Sequence, residues 1–351
     1  MKKTLVVLLI LVLVFSAFIC WGYIGGPKKA LVVFLDRYFV LENGAVLIES
    51  ADRDTVLSES CGLYLLACAR LGEKESFDRT YEFVKKELIS EKGVLHWKIN
   101  LKTGQKEKSS ASIDDLTVVQ ALLEAYKLWD DEQYLKEALG IADAIMQKEV
   151  KDNYLVDSFS WDADEYASDI VNISYLDLGT MRELSGYDPQ WGAVYQNCLE
   201  LCLRAIMENG LFFEAYDLKT GKFSYQEGNV INQLYTALHL ARSGAAAEKI
   251  KLVGFLKDSL KAQAKISIIY GKDGAAKSDN ESVAVYALCA RLFHALNERA
   301  YEKMCYKKML SFREGFRYNR YYGGFGWFAP FTSRDYNSFD NLQALLTIVQ
   351  E

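Results

Sequence analysis

Residues 58–72 read SESCGLYLLACARLG, and the pattern of this stretch decides the fold. Three polar residues open it, apolar and small residues follow at helical spacing, and Gly72 ends it. Polar side chains favour the start of a helix, and glycine favours the position just past its end. The stretch therefore predicts one largely buried helix with a polar, acidic N-terminus.

The same kind of opening recurs along the chain. Carboxylates, amides or hydroxyls also precede apolar segments at Ser112–Asp115, Ser168–Asn172, Glu227–Asn229, Asp279–Ser282 and Asp340–Asn341. With Glu59, Asp115, Asn172, Asn229, Glu281 and Asp340 as markers, the steps are 56, 57, 57, 52 and 59 residues. A nearly constant period of this length indicates a repeated supersecondary unit.

Apolar periodicity predicts twelve helices, which pair into hairpins. They lie near residues 28–40, 55–70, 74–90, 113–130, 132–149, 168–185, 189–208, 228–242, 245–264, 281–297, 299–312 and 336–350. Gly72, Gly186 and Gly244 stand where paired helices meet, as C-terminal caps should. Alternate helices, such as 74–90 and 132–149, carry more Lys and Glu on one face, which predicts an outer layer. The expected fold is an all-α (α/α)6 barrel over residues 25–351, with the inner helix N-termini meeting at one mouth.

The composition of the chain and its first residues limit the class of protein and its expected location in the cell. The chain has 351 residues, of which 50% are hydrophobic, and its net charge is -6, so it can form a large core and has no basic field for nucleic acid. Lys2 and Lys3 precede an apolar run from Leu5 to Trp21, so residues 1–24 are expected to be a signal or anchor segment. An uncleaved anchor is favoured because no small-x-small cleavage site follows, and the rest of the chain is expected outside the cytoplasm, membrane-anchored or secreted. No phosphate, dinucleotide or metal motif occurs, so no cofactor is expected.

Three stretches in order resemble glycoside hydrolase family 8, especially the bacterial endoglucanases associated with cellulose synthesis. The first runs from Phe34–Tyr38 through Gly44–Val46 to Thr55–Gly62, and it is similar to the family's opening helix, G-x-V turn and S-E-G segment. The second, Ala111–Leu116 with Leu122–Ala125 and Leu128–Trp129, resembles the A-S-D-A-D-L helix. The third, Asn172–Tyr175, resembles N-P-S-Y with Ile173 in place of proline. The family's fold is the (α/α)6 barrel, in agreement with the repeat.

The resemblance implies roles for particular residues. Glu59 falls on the family's general acid, and Asp115 falls on the central carboxylate that holds the sugar, with Asp114 as a like-charged neighbour. Many members have an aspartate base where this chain has Asn229, whose amide cannot accept a proton. Glu227 is the nearest carboxylate in sequence and is the candidate base, and Glu281 is the next candidate.

Aromatic and polar residues in the links between hairpins support a sugar site, because flat rings pack against the C–H faces of sugars and polar groups bind their hydroxyls. The expected substrate-binding residues are Asp115, Asp114, Asn172, Tyr175, Asn229, Trp97, Trp161, Glu281, Tyr322 and Trp327. For each of them, helix capping or ordinary packing is the alternative explanation.

Two functions stay open at this point. One is an exported endo-glycosidase that hydrolyses a β-linked polysaccharide, such as a β-1,4-glucan or an exopolysaccharide, by acid/base catalysis with inversion. Exopolysaccharide synthesis machinery is its candidate partner. The other is a catalytically impaired polysaccharide-binding barrel in a secretion system. Asn229 favours the second function, whereas Glu59 and Asp115 favour the first.

Overall fold

The structure is a computed structural model that describes residues 26–162, 164–226, 228–244, 249–326 and 336–350. Twelve α-helices occur in these ranges. They are α1 Pro27–Tyr38, α2 Ser58–Leu71, α3 Lys74–Phe83, α4 Ser112–Trp129, α5 Glu132–Lys148, α6 Leu178–Leu184, α7 Gln190–Arg204, α8 Val230–Ser243, α9 Leu252–Gln263, α10 Val283–Ala295, α11 Arg299–Leu310 and α12 Ser338–Ile348. The predicted anchor, residues 1–24, lies outside the described ranges. No helix within those ranges is long and apolar enough to cross a membrane.

Six helices form a closed inner ring. In order they are α2, α4, α6, α8, α10 and α12; each packs against the next, and α12 packs back against α2. The Ser60 and Ser338 hydroxyls, 2.8 Å apart, join α2 to α12 where the ring closes. Outer helices α3, α5, α7 and α11 each pack on the inner helix before them, and α1 packs on α12. This is the predicted (α/α)6 arrangement.

Burial distinguishes the two layers. Along α10, every residue from Val283 to Phe293 is buried, because an inner helix has neighbours on all sides. On the outer helix α5, the buried residues include Tyr134, Ala138, Ile141 and Ile145, which recur every three or four positions and form one stripe facing inward. The sequence pattern of uniformly apolar and amphipathic helices thus decides which layer each helix joins.

Within the described ranges, nine short strands lie in the links between hairpins. β1 Thr55–Leu57 pairs antiparallel with β2 Lys98–Asn100, and β7 Ile170–Asn172, β8 Ala215–Asp217 and β9 Lys222–Ser224 form a three-stranded sheet. Two small hairpins consist of β3 Val150–Lys151 with β4 Tyr154–Leu155 and β5 Phe159–Ser160 with β6 Tyr166–Ala167. These strands surround the end of the barrel at which the inner helices begin.

The structure corrects several predicted boundaries. The predicted helix 168–185 begins only at Leu178, because Ile170–Asn172 joins a sheet and Ile173–Tyr175 forms a 3-10 turn. The β-branched Ile170 and Val171 suit the sheet, and their pairing with β8 overrides the local helical pattern. Gly72 and Gly244 are left-handed caps with φ of 74° and 69°, as predicted. Gly186 instead follows the cap of α6, which is Ser185.

Candidate active site

A cleft of about 360 Å³ opens at the barrel mouth. It is bounded by the starts of α2, α4, α8 and α12 and by the turn before α6. Its walls are formed by Leu57, Glu59, Leu63, Trp97, Ala111, Ile113, Asp114, Thr117, Ser174, Tyr175, Asn229, Ile231, Asn232, Tyr235 and Phe339. Helix openings from four of the inner helices therefore converge on the cleft, whereas the opening at Asp279–Ser282 contributes no wall residue, and two carboxyl groups stand in the cleft.

Glu59 is the first of these carboxyl groups. It lies in the first turn of α2 and is partly exposed to the cleft. Burial of the carboxyl group and, second, the negative charge of Asp114 together raise the pKa of Glu59 to about 8. A helix N-terminus favours the anion, so desolvation and like-charge repulsion here outweigh the helix dipole. Glu59 is therefore a carboxylic acid at neutral pH and can donate a proton.

Asp114 is the second carboxyl group, and its surroundings favour ionisation more. Burial raises the pKa of Asp114 to about 7, while the Ser58 hydroxyl and the Glu59 backbone N–H, which both donate to it, lower the pKa. The Ser58 Oγ to Asp114 Oδ2 distance is 2.5 Å. Asp114 consequently gives up its proton before Glu59 does. The pair offers one proton donor and one anion side by side.

The structure places Asp115 outside the cleft, which corrects its predicted role. Asp115 is fully buried, and its Oδ1 accepts a hydrogen bond from Leu95 N at 2.7 Å. Ile113, Asp114 and Thr117 face the cleft from α4, whereas Asp115, about 100° further round the helix than Asp114, faces Leu95. Burial, and then the nearby Glu149, hold the pKa of Asp115 well above its usual range. Asp114 thus takes the position in the cleft that was predicted for Asp115.

Asn229 lines the opposite wall. It is the N-cap of α8, and its Oδ1 accepts a hydrogen bond from Ile231 N at 3.0 Å. Asn232 and Tyr235 follow at intervals of three residues on the same helix, and both line the cleft. This wall therefore offers amide and hydroxyl groups from one helix face, without a carboxylate among its described residues.

A clamp holds the chain that leads to Asn229. The Glu214 carboxylate accepts hydrogen bonds from Gln226 N at 2.6 Å and from Asn229 N at 3.2 Å. Gly228 has φ of 67°, and a Cβ there would lie 1.7 Å from the Tyr270 carbonyl oxygen, so only glycine fits. The proposed base, Glu227, lies between these fixed points in sequence but outside the described residues.

Two aromatic side chains border the carboxyl groups. Trp97, 37% exposed, stands on the rim of the cleft, where a sugar ring could stack on it. Tyr175 lines the wall beside Ser174, and burial together with the charge of Asp114 raises the pKa of its hydroxyl to about 12. Tyr175 therefore stays protonated and can donate a hydrogen bond.

The other predicted ligands lie elsewhere. Asn172 caps the 3-10 turn, and its side-chain oxygen accepts from Ser174 N and Oγ. Trp161 is buried against Phe159, with ring centroids 5.9 Å apart. Glu281 accepts from the Tyr286 hydroxyl and pairs with Lys308 at 2.9 Å. These three residues and Tyr322 are absent from the cleft walls, and Trp327 lies outside the described residues. For Asn172 the helix-cap alternative holds, and for Trp161 the packing alternative holds.

Sequence reasoning missed Ser174, Asn232, Tyr235 and Phe339 in the walls, and Glu214 and Glu149 behind them. For Asn232 and Tyr235 a signal existed, because polar residues three and six positions after Asn229 share its helix face. For Glu214 and Glu149 no local pattern was available, since each acts on a segment distant in sequence.

Comparison with known proteins agrees with this geometry. The family model described as "Glycosyl hydrolases family 8" matches residues 5–229. A Bacillus subtilis protein described as a candidate lipoprotein, YdaJ, is 25% identical over 329 residues, which cover 91% of this chain and 86% of the relative.

Two solved structures are also similar. A structure described as a novel alpha-amylase from Clostridium perfringens has a TM-score of 0.84 and 25% identity, and the match covers 93% of this chain and 98% of that one. The Klebsiella pneumoniae endoglucanase Cel10, described as a family 8 glycosyl hydrolase, shares the fold with a TM-score of 0.65 at 14% identity; the match covers 91% of this chain and 98% of that one. The family model spans more than half of the chain, and the ring of helices, the cleft and its acid agree with it: the chain belongs to glycosyl hydrolase family 8 and is a glycoside hydrolase.

Proposed function

We propose that the protein is an exported endo-glycosidase that hydrolyses a β-linked polysaccharide with inversion, and that Glu59 is its general acid. The observation that carries this proposal is the pair of carboxyl groups in the cleft. One of them, Glu59, is protonated at neutral pH, and the other, Asp114, ionises first. The open cleft and the exposed ring of Trp97 suit a chain that extends beyond one sugar unit.

In the proposed reaction, Glu59 donates its proton to the glycosidic oxygen as the C–O bond breaks and the electron pair leaves with that oxygen. Asp114 holds a sugar hydroxyl at the cleavage point, and its negative charge stabilises the positive charge that develops on the sugar ring. A water molecule attacks the anomeric carbon from the opposite face and loses its proton to a base. Inversion requires that base to stand about 6.5–9.5 Å from the acid.

For the base we propose Glu227. Asn229 lines the wall opposite Glu59 but cannot accept a proton, and Glu227 is two residues before it. The Glu214 carboxylate holds the backbone N–H groups of Gln226 and Asn229, described residues that lie on either side of Glu227 in sequence.

We further propose that residues 1–24 anchor the protein at the membrane and that its substrate is an exopolysaccharide, trimmed or released during secretion. Lys2, Lys3 and the apolar run after them support the anchor. The relative described as a candidate lipoprotein supports an exported, membrane-associated location. Synthesis machinery for the polysaccharide is then the expected neighbour of the protein.

A second candidate function is hydrolysis of an α-linked glucan. The observation that favours it is the similarity to the Clostridium perfringens structure described as an alpha-amylase, at 25% identity over nearly the whole of both chains. The polar groups around the cleft can bind hydroxyls of either kind of glucan, so the linkage is a matter for experiment.

The test compares hydrolysis of carboxymethyl-cellulose, mixed-linkage β-glucan, xylan, chitosan, soluble starch and bacterial exopolysaccharide by residues 26–351. Reducing-end release measures cleavage, and NMR of the first product identifies its anomer. We expect cleavage of a β-glucan with inversion, and a loss of about 100- to 10,000-fold in kcat in Glu59→Gln with binding retained.

The control Glu132→Gln changes an exposed carboxyl on α5 and should keep full activity. Cleavage of starch alone would establish the second function, and a retained anomer would exclude the inverting mechanism.

A further inference from the structure

Tyr235 is a partly buried residue of the cleft wall and belongs to no motif used so far. It follows Asn229 by six residues on α8 and lines the cleft together with Glu59 and Asp114. Burial and the charge of Glu59 both raise the pKa of its hydroxyl above the usual range, so Tyr235 stays protonated at every working pH. Its contacts decide in which direction that proton points.

Behind Tyr235, two buried side chains from other inner helices complete a chain of hydrogen bonds. Gln343 of α12 is fully buried, and its Nε2 lies 2.6 Å from the Tyr235 hydroxyl. Arg291 of α10 is 3% exposed, and its Nη1 lies 2.7 Å from Gln343 Oε1. The three residues connect the cleft wall to the barrel interior.

The chemistry of these groups fixes the direction of both hydrogen bonds. A guanidinium group has only donors, so the Gln343 atom that faces Arg291 must be the carbonyl oxygen. The amide NH2 of Gln343 must then face Tyr235, and because an NH2 group only donates, the Tyr235 oxygen accepts. Arginine thereby settles the amide orientation, which is otherwise ambiguous for a glutamine.

The Tyr235 hydroxyl proton is consequently left for another acceptor. Among the described residues it has no second hydrogen-bond partner, and the space in front of it is the cleft. We propose that Tyr235 donates a hydrogen bond to an oxygen of the sugar bound beside Glu59, and that Arg291 and Gln343 are positioning residues that hold it in this donor orientation. The proposal deepens the function of the same cleft and rests on it.

The cost of the arrangement supports a functional role. Burying a guanidinium group and an amide between inner helices is unfavourable compared with apolar packing of equal volume. Repulsion from Arg242 and Arg70 adds to that cost: after burial, these two charges are the largest influences that lower the pKa of Arg291. A packing role alone would be filled better by leucine or methionine.

The decisive variant is Gln343→Glu. It keeps the shape of the side chain and its contact with Arg291, but a carboxylate accepts where the amide donated. Tyr235 must then donate to residue 343, away from the sugar. We expect kcat to fall by about 10- to 100-fold, the effect of one hydrogen bond that is stronger in the transition state than in the ground state, with KM changed less than about threefold. Tyr235→Phe should show the same loss, and the double variant should lose no more than either single variant.

A matched control is Tyr64→Phe. Tyr64 also lies on an inner helix and is 4% exposed, but its hydroxyl donates to Asp36 at 3.0 Å, on the outside of α2. This variant should keep wild-type kcat. Full activity of Gln343→Glu, or additive losses in the double variant, would overturn the proposal.

A measurement without any glycan separates this inference from the choice of substrate. Neutron diffraction in heavy water locates the Tyr235 deuteron directly. We expect it to point into the cleft in the wild type and toward residue 343 in Gln343→Glu. A deuteron directed at Gln343 in the wild type would refute the orientation, even if the protein hydrolysed every glucan offered. Failure to hydrolyse β-glucan with the expected deuteron position would refute only the proposed substrate.

Discussion

At the scale of single residues, Asp114 and Asp115 show where sequence reasoning stops. The repeat and the resemblance identified the acidic start of α4, and the structure does place a carboxyl group from it in the cleft. Which of the two neighbours faces the cleft depends on the rotation of the helix about its axis, which is fixed by packing in the barrel and by the bond from Leu95 N. The place of Glu59 in the cleft could be predicted, because the repeated helix opening and the family resemblance both pointed to residue 59.

The raised pKa of Glu59 predicts the alkaline limb of the activity profile. Because burial and Asp114 raise it to about 8, the acid form is lost above that pH, and kcat/KM should fall about tenfold per pH unit there. Asp114→Asn removes a negative neighbour, so the limb should move to lower pH while the contribution of burial remains.

The measurement is kcat/KM between pH 5 and 10 for the wild type and Asp114→Asn on the glycan that the wild type cleaves best. Glu132→Gln serves as the control and should leave the limb in place. An alkaline limb that does not move in Asp114→Asn would show that this carboxylate has no influence on the acid.

At the scale of elements, the sequence predicted helices better than the links between them. All twelve expected helices are present, because each repeats an apolar period over several turns. The strands could not be predicted in the same way, since they are only two or three residues long and some of them pair with partners far along the chain. β7, for example, pairs with β8 across more than forty residues.

The link before α8 carries a prediction of its own. Glu214 accepts hydrogen bonds from Gln226 N and Asn229 N and is 8% exposed. Glu214→Gln places an NH2 donor against one of these N–H groups, so the start of α8 should shift and the proposed base with it. We expect kcat to fall by about 10-fold or more and the free energy of unfolding to fall by about 1–3 kcal/mol.

Kinetics on the preferred glycan and urea unfolding measure the two effects. Gln226→Ala is a useful comparison, because it keeps the backbone N–H that donates to Glu214 and should be nearly neutral in both. Unchanged kcat in Glu214→Gln would mean that the clamp does not position the catalytic machinery.

At the scale of the whole molecule, the barrel encloses an unusual amount of acid. Besides Glu59 and Asp114, the fully buried Asp115 and Glu149 lie behind the cleft wall, each with one side-chain oxygen that has no hydrogen-bond partner among the described residues. Burial raises the pKa of Glu149 to about 8, with Asp114 and Asp157 adding to the effect, while the Ser110 hydroxyl opposes it. No sequence pattern pointed to Glu149, because Asp115 and Glu149 come together only when α4 and α5 pack.

These carboxyl groups predict how stability depends on pH. In the unfolded chain Glu59, Asp114 and Glu149 ionise near pH 4, whereas in the folded protein these three groups keep their protons to about pH 7 or 8. Between those limits the folded state binds more protons than the unfolded state, so the free energy of unfolding must fall as the pH rises from about 4.5 to 8. Asp177 acts in the opposite sense: burial alone would raise its pKa, but His239 and bonds from Thr180 lower it overall, so its contribution is lost only in acid. Stability should therefore be greatest near pH 5.

Thermal unfolding at half-unit steps from pH 4 to 9 tests this, and Glu149→Gln should flatten the alkaline decline because it removes one buried group that must ionise. Exposed Glu132→Gln should leave the curve unchanged, and a stability that rises from pH 5 to 8 would show that these acids are already ionised inside the barrel.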